Sequence, residues 1–278
     1  MSIHSPIESS SEFVFTVFST QLRGWVRRRL AEGLLDQFVR DPDRYFNADS
    51  QGLIKQARKT QIARATLRSA NGASLDVVIK KFRYRFPRRL GFFAASSPAY
   101  RSLAGALLLL RKGFHTPAPV AVLERRGWRH TGTSYYIAEE LKGSSTLQEL
   151  WRAHFASQPA KRRLLLGREA VGDLAQLLHR LHRMGIYHRD LKSSNILVRD
   201  WDSERRAFFI VDLDRVQKRR RIPVSKTLKN LLQVRNSTWS RRERIRFFSS
   251  YAELSGMTRP EGKRFVRKLL SSHVKRRR

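Results

Sequence analysis

The sequence predicts an α+β chain in two lobes, strand-rich in its first half and helix-rich in its second. Three observations carry this. Residues 53–67 and 74–86 read as strands, and Asn71-Gly72 between them is a strong hairpin signal. Residues 147–155 and 161–184 repeat apolar positions at helical spacing instead. The texture changes after Gly143, with no repeat of fixed period and no low-complexity linker.

From the N-terminus, residues 11–39 mix Phe, Val, Leu and Arg at roughly helical spacing until Asp41-Pro42 breaks them, so residues 1–50 are expected to form an N-terminal helical extension. In the strand 74–86, Val78, Lys80, Phe82, Tyr84 and Phe86 share one face, whereas Val77, Ile79, Lys81, Arg83 and Arg85 share the other. Pro98 opens a helix expected to reach Lys112, closed by Gly113 and followed by Pro117 and Pro119. Residues 120–124 and 134–141 are two further strands, which completes a first lobe over 51–141. The second lobe, 142–278, begins with the helices 147–155 and 161–184, the latter stopping at Gly185, and closes in a basic helix.

Composition limits the function. The chain carries 57 Lys and Arg against 23 Asp and Glu, a formal charge of +34, with eight His and no Cys. The absence of cysteine excludes disulfides, thiolate metal sites and a cysteine nucleophile, and it fits a reducing compartment. The longest apolar run, 103–110, is far short of the roughly 20 residues of a membrane span. The opening residues 2–12 are polar with two acids and show no secretory pattern, so a soluble intracellular protein is expected. Residues 215–278 hold 21 basic residues against Glu243, Glu253 and Glu261, and residues 80–89 hold six with no acid. Such fields attract polyanions: nucleic acid, anionic lipid or phosphorylated glycans.

The chemistry is concentrated after the long helix. His188-Arg189-Asp190-Leu191-Lys192-Ser193-Ser194-Asn195 fits H-R-D-L-x-x-x-N at every specified position, and an apolar strand follows. Seventeen residues past Asn195, a second apolar strand, Phe208-Phe209-Ile210-Val211, ends in Asp212. Phosphoryl transfer needs one carboxylate to orient the attacking hydroxyl and take its proton, a role for Asp190. It needs another to hold magnesium across the phosphates, a role for Asp212, with Asn195 supplying an oxygen to the metal. Lys192 can neutralise charge on the transferring group. Upstream, Val77-Val78-Ile79-Lys80 matches V-A-I-K apart from Val78, which places Lys80 to grip the α- and β-phosphates. Lys81 competes for that role, but strand alternation aims it at the opposite face. His179 and His182 lie at i and i+3, and with no third ligand in evidence they read as helix-face residues.

These motifs make the sequence resemble the protein-kinase-like superfamily, and within it the bacterial lipopolysaccharide core kinases, the Kdo/heptose kinase family. Val211-Asp212-Leu213-Asp214-Arg215 is similar to that family's D-L-x-R and stands where D-F-G would be in eukaryotic-type kinases. No A-P-E follows. Gly113-Phe114-His115-Thr116-Pro117 resembles the family's connection after the first-lobe helix, and Lys229-Asn230-Leu231 with residues 240–251 resembles its closing helices. The resemblance implies a bilobal protein-kinase-like fold, with a strand-rich N-lobe and a reduced helical C-lobe. It also implies ATP and Mg²⁺ as cofactors, nucleotide binding by Lys80, Val78, Glu140 and Leu141, catalysis by Asp190 and Lys192, and metal binding by Asn195 and Asp212.

Two departures stand out. No G-x-G-x-x-G precedes Lys80, as in the lipopolysaccharide kinases themselves, which lack a strict glycine-rich loop. No Asp or Glu lies between Asp76 and Glu124, so the helix that follows Pro98 cannot supply the acid that pairs with the strand lysine in typical kinases. Another acid substitutes, or Lys80 works unpaired, or the enzyme is impaired. The leading reading is an ATP-dependent kinase of a sugar hydroxyl on a glycolipid core, peripheral on the inner face of the bacterial inner membrane, where an anionic surface is its expected partner. The rivals are a compact Ser/Thr protein kinase without an activation segment and a polyanion-binding pseudokinase. Nucleic acid is the less favoured partner because the tail lacks stacking aromatics.

Overall fold

A computed structural model describes residues 11–47, 52–85, 97–126, 131–203, 205–235 and 239–271. The expectations for Phe86, for Arg88 and Arg89, and for the basic residues past 271 lie outside these. The chain divides into two compact units, Met1–Lys142 and Gly143–Arg278.

The first unit is built on one antiparallel sheet of seven strands: β1 (Phe13–Val17), β2 (Leu22–Arg27), β3 (Leu53–Ala57), β4 (Thr60–Arg68), β5 (Ser74–Arg85), β6 (Pro119–Arg126) and β7 (Thr131–Glu139). Their order is β1-β2-β6-β7-β5-β4-β3. Asn71-Gly72 sits in the turn that joins β4 to β5, with Leu67 opposite Leu75. The helical extension expected over 11–39 is corrected here. Residues 13–27 form a β-hairpin that extends the sheet through β6, and only Asp36–Arg40 (α1) is helical in this stretch. The alternating β-branched and aromatic side chains of 13–17 favour a pleated strand. Gly24 permits the junction, because a Cβ there would stand 1.8 Å from the Val122 carbonyl oxygen.

The two faces of β5 do different work. Val77 and Ile79 are fully buried against Leu34, Phe38, Tyr45 and Phe46, so the N-terminal segment caps that face. On the other face, Phe82 packs with Val122 and with Leu103 and Leu107 of α2 (Pro98–Arg111). Ser97 caps α2 by accepting from the Tyr100 N–H at 3.1 Å, and Pro98 occupies the first helical turn. On the capped face lies a polar knot. Lys81, only 4% exposed, pairs with Asp43 at 2.8 Å, and Arg125 and the Tyr135 hydroxyl donate to the same carboxylate, each at 2.9 Å.

Burial pushes the Asp43 carboxyl up, but the hydrogen bonds from Lys81, Arg125 and Tyr135 outweigh it and hold the group at about 2, against an ordinary 3.8. A depressed carboxyl contributes stability that is fully present above its unfolded value and is lost as pH falls through its folded one. Asp43→Asn is therefore expected to flatten the acid limb of unfolding between about pH 4 and 2, read by circular dichroism. A limb as steep as the parent's would show that Asp43 carries no such linkage.

The second unit contains α3 (Leu147–Ser157), α4 (Ala160–Arg183), α5 (Val224–Val234), α6 (Arg241–Leu254) and α7 (Arg259–Ser271). Its small sheets hold β8 (Ser145–Thr146), β9 (Ile186–His188), β10 (Ile196–Arg199), β11 (Ala207–Ile210) and β12 (Val216–Lys218), in the orders β11-β10-β8 and β12-β9. Val171, Leu174, Leu178 and Leu181 form a buried stripe on α4, at the spacing of one helix face. Gly185 ends the helix at φ 66°, and its lack of a Cβ matters twice, since one would meet the Arg219 carbonyl oxygen at 2.1 Å. No described helix is long and apolar enough to cross a membrane.

Candidate active site

The residues between β9 and β12 form a compact polar centre, because the two short sheets bring the catalytic-loop sequence and the strand ending in Asp212 side by side. His188 is 2% exposed and ties the two segments together. Its Nδ1 accepts the Asp190 N–H at 3.2 Å and its Nε2–H donates to the Val211 carbonyl at 3.1 Å. That pattern fixes a neutral, Nε2-protonated imidazole and a structural role.

Asp190 follows in the open loop, its side chain 24% exposed, and Lys192 Nζ donates to its Oδ2 at 2.8 Å. Asn195 ends a single 3-10 turn (Ser193–Asn195) and turns its nitrogen inward, donating to the Asp190 carbonyl at 2.8 Å and approaching Asp212 Oδ2 at 3.4 Å. Asp212 has left-handed backbone, φ 64° and ψ 52°, a conformation that Asp and Asn tolerate better than other L-residues. This kink ends the β11 segment and leads into the 3-10 turn Leu213–Arg215, with Leu213 buried at 3%. The structure thus places Asp190, Lys192, Asn195 and Asp212 in one constellation.

Magnesium suits this donor set. One carboxylate and one amide side chain, adjacent and offering hard oxygens, match a cation that keeps waters and borrows phosphate oxygens. Among the described residues no group of three or more His, Cys, Asp or Glu forms a dedicated metal cage. Of the two helix-face histidines, His182 spends both ring nitrogens on Tyr251 and Asn230, and His179 meets the Tyr251 ring edge-on.

The remaining candidates lie in the first unit. Lys80 projects from the α2-facing side of β5, with its ammonium 4.7 Å from the centroid of the Phe82 ring. Val78 shares that side of β5. Glu140 and Leu141 follow β7 directly. The Glu140 carboxylate is engaged by Arg64 Nε at 2.8 Å, its N–H donates to the Asp76 carbonyl, and its own carbonyl accepts from the Lys142 N–H. Lys81, the competitor for the phosphate role, is committed to Asp43 on the opposite face. Asp43 itself had no legible signal in the sequence, and on α5 Gln233 had none while Asn230 stood out only within the closing-helix resemblance, with no role attached to Asn230 or Gln233. Their amides donate to the His188 carbonyl at 2.6 Å and the Arg189 carbonyl at 3.2 Å.

Comparison with known proteins agrees with this geometry. The solved structure described as WaaP in complex with acyl carrier protein superposes with a TM-score of 0.52 at 23% identity, covering 78% of this chain and 88% of that one. The fold is therefore the protein-kinase-like one. No curated protein sequence matches the chain significantly. Residues 99–251, more than half of the chain and including the whole Asp190–Asp212 constellation, match the sequence profile described as the lipopolysaccharide kinase (Kdo/WaaP) family. With fold, motif and profile in agreement, this chain belongs to the Kdo/WaaP family of lipopolysaccharide kinases and is a phosphotransferase.

Proposed function

We propose that this lipopolysaccharide kinase transfers the γ-phosphate of ATP to a sugar hydroxyl of the lipopolysaccharide core. The observation that carries the reading is the side-by-side placement of Asp190, Lys192, Asn195 and Asp212. The acceptor O–H donates to the Asp190 carboxylate, which takes the proton as the new O–P bond forms and the bond from the γ-phosphorus to the β,γ-bridging oxygen breaks. Lys192, resting on Asp190 before the acceptor arrives, offsets charge on the transferring group. Mg²⁺, held by Asp212 and Asn195 when bound, neutralises charge on the phosphate oxygens. Lys80 holds the nucleotide phosphates, and Val78 with the 140–141 backbone contacts the base.

The test is incubation of the purified chain with ATP, Mg²⁺ and core oligosaccharide, followed by ³¹P and ¹³C NMR of the product. A phosphate monoester on a ring carbon supports the proposal; ATP consumption with an unmodified sugar refutes it. The relative was solved with acyl carrier protein, so the assay is run with and without that protein to see whether this chain shares the association.

The basic C-terminal face is the proposed contact with an anionic membrane on the cytoplasmic side. Val266 and Leu269 are buried within the unit, and Phe265 stacks on Tyr251 of α6, so the apolar side of α7 serves the fold. Lys263, Arg264, Arg267 and Lys268 remain exposed. Binding is then electrostatic, worth about 1 kcal/mol per basic residue near the surface. Replacing these four by Glu is expected to abolish co-sedimentation with vesicles of anionic phospholipid at low salt, and salt alone should release the parent protein. Salt-resistant binding would mean that apolar insertion dominates, and tighter binding to RNA than to vesicles would favour the protein-kinase rival.

A further inference from the structure

A polar network behind the catalytic loop has, apart from Asn195, no part in the chemistry described above. Three successive carbonyls, those of His188, Arg189 and Asp190, each receive a side-chain amide, from Asn230, Gln233 and Asn195. Asn230 and Gln233 stand one turn apart on α5, and Asn230 also donates to Gln233 Oε1 at 3.1 Å. With its nitrogen committed to these acceptors, Asn230, 1% exposed, presents Oδ1 to His182 Nε2 at 3.2 Å. His182 Nε2 must therefore carry the proton, and Nδ1 accepts from the Tyr251 hydroxyl at 2.7 Å.

We infer that Asn230, oriented by His182 and Tyr251, is a positioning residue that sets the conformation of the loop carrying Asp190. Every donor points the same way: Tyr251 to His182, His182 to Asn230, Asn230 to the His188 carbonyl. A chain with one consistent direction admits one amide orientation at Asn230, and so one placement of the carbonyl two residues before Asp190. Burial pushes His182 down to about 4, beyond what the Asn230 bond restores, so the ring stays neutral at working pH and the direction does not reverse. Burial likewise pushes Tyr251 up to about 12, which keeps its hydroxyl a donor.

The inference rests on the kinase reading for its kinetic arm only. Asn230→Leu, nearly isosteric, is expected to lower kcat by about ten- to a hundredfold, the range a misplacement of about 1 Å produces, while the KM for ATP stays within about twofold. Tyr251→Phe removes a single oxygen and keeps the ring stacked on Phe265. It should lower kcat less, and adding it to Asn230→Leu should cost nothing more, since both act through one chain. Hydrogen–deuterium exchange of the 186–196 segment reads the same claim without catalysis and should quicken in both variants at temperatures where each is fully folded. Should the parent enzyme transfer no phosphate, the kinase reading falls, and the exchange result alone decides the positioning role. Parent-like kcat or parent-like exchange in folded Asn230→Leu, or losses that multiply in the double variant, would overturn it.

Discussion

Asp190→Asn and Asp212→Asn are each expected to nearly abolish phosphoryl transfer without disturbing the fold. Removing a general base costs on the order of 10²–10⁴ in rate, and Asn at 190 cannot take the acceptor's proton. The side chain of Asp190 is partly exposed and pairs with Lys192 outside the core, so melting behaviour should be unchanged. Asp212→Asn is tolerated for a different reason: asparagine accepts the left-handed backbone at φ 64° as readily as aspartate does. The two losses differ in kind. Asp212→Asn should also weaken Mg-ATP binding, measured by calorimetry, whereas Asp190→Asn should spare it. If either variant turned over like the parent, its assignment would be wrong.

The adjacent lysines of β5 should separate just as sharply, one through activity and one through stability. Lys80→Ala is expected to impair nucleotide binding and turnover and leave the melting temperature near that of the parent. Lys81→Ala removes a side chain that is 5% exposed and the ion-pair partner of Asp43. Breaking a fully buried pair costs about 3–5 kcal/mol. Here Asp43 is 43% exposed and keeps Arg125 and Tyr135, so about 2–3 kcal/mol is the reasonable figure after discounting for solvent. That corresponds to a drop of roughly 5–10 °C in melting temperature. Assayed well below its melting point, Lys81→Ala should retain most activity. A larger catalytic loss at Lys81 than at Lys80 would mean that the two faces of β5 are exchanged, because a one-residue slip re-aims every side chain.

Much of this site was legible in the sequence because its signals are local. The loop 188–195 is contiguous, Asp212 ends its own apolar strand, and Pro98 and Gly113 bracket α2 with ordinary capping chemistry. Strand alternation likewise separated Lys80 from Lys81 without any knowledge of Asp43. The failures have a common cause in distance along the chain. Residues 13–27 combine aromatic, β-branched and Arg side chains in a pattern that also suits a helix, and what decides for strands is pairing with β6, about a hundred residues on. Asp43 gains its meaning from Tyr135, 92 residues away, and Asn230 from His188, 42 residues away. An Asp in Asp41-Pro42-Asp43-Arg44 and a lone Asn in an amphipathic helix carry no mark of such partners. The acid missing from α2 was also visible in sequence, and alternation already put Phe82, the ring that the Lys80 ammonium faces, beside it on one strand face.

The most direct test of the account is a transfer assay with γ-labelled ATP, offered purified lipopolysaccharide core, a mixture of soluble proteins, and buffer in parallel, with Asp190→Asn as the blank. The account predicts label in the lipopolysaccharide alone, and none with the variant. Label on protein with unlabelled lipopolysaccharide, or equal label with Asp190→Asn, would contradict it.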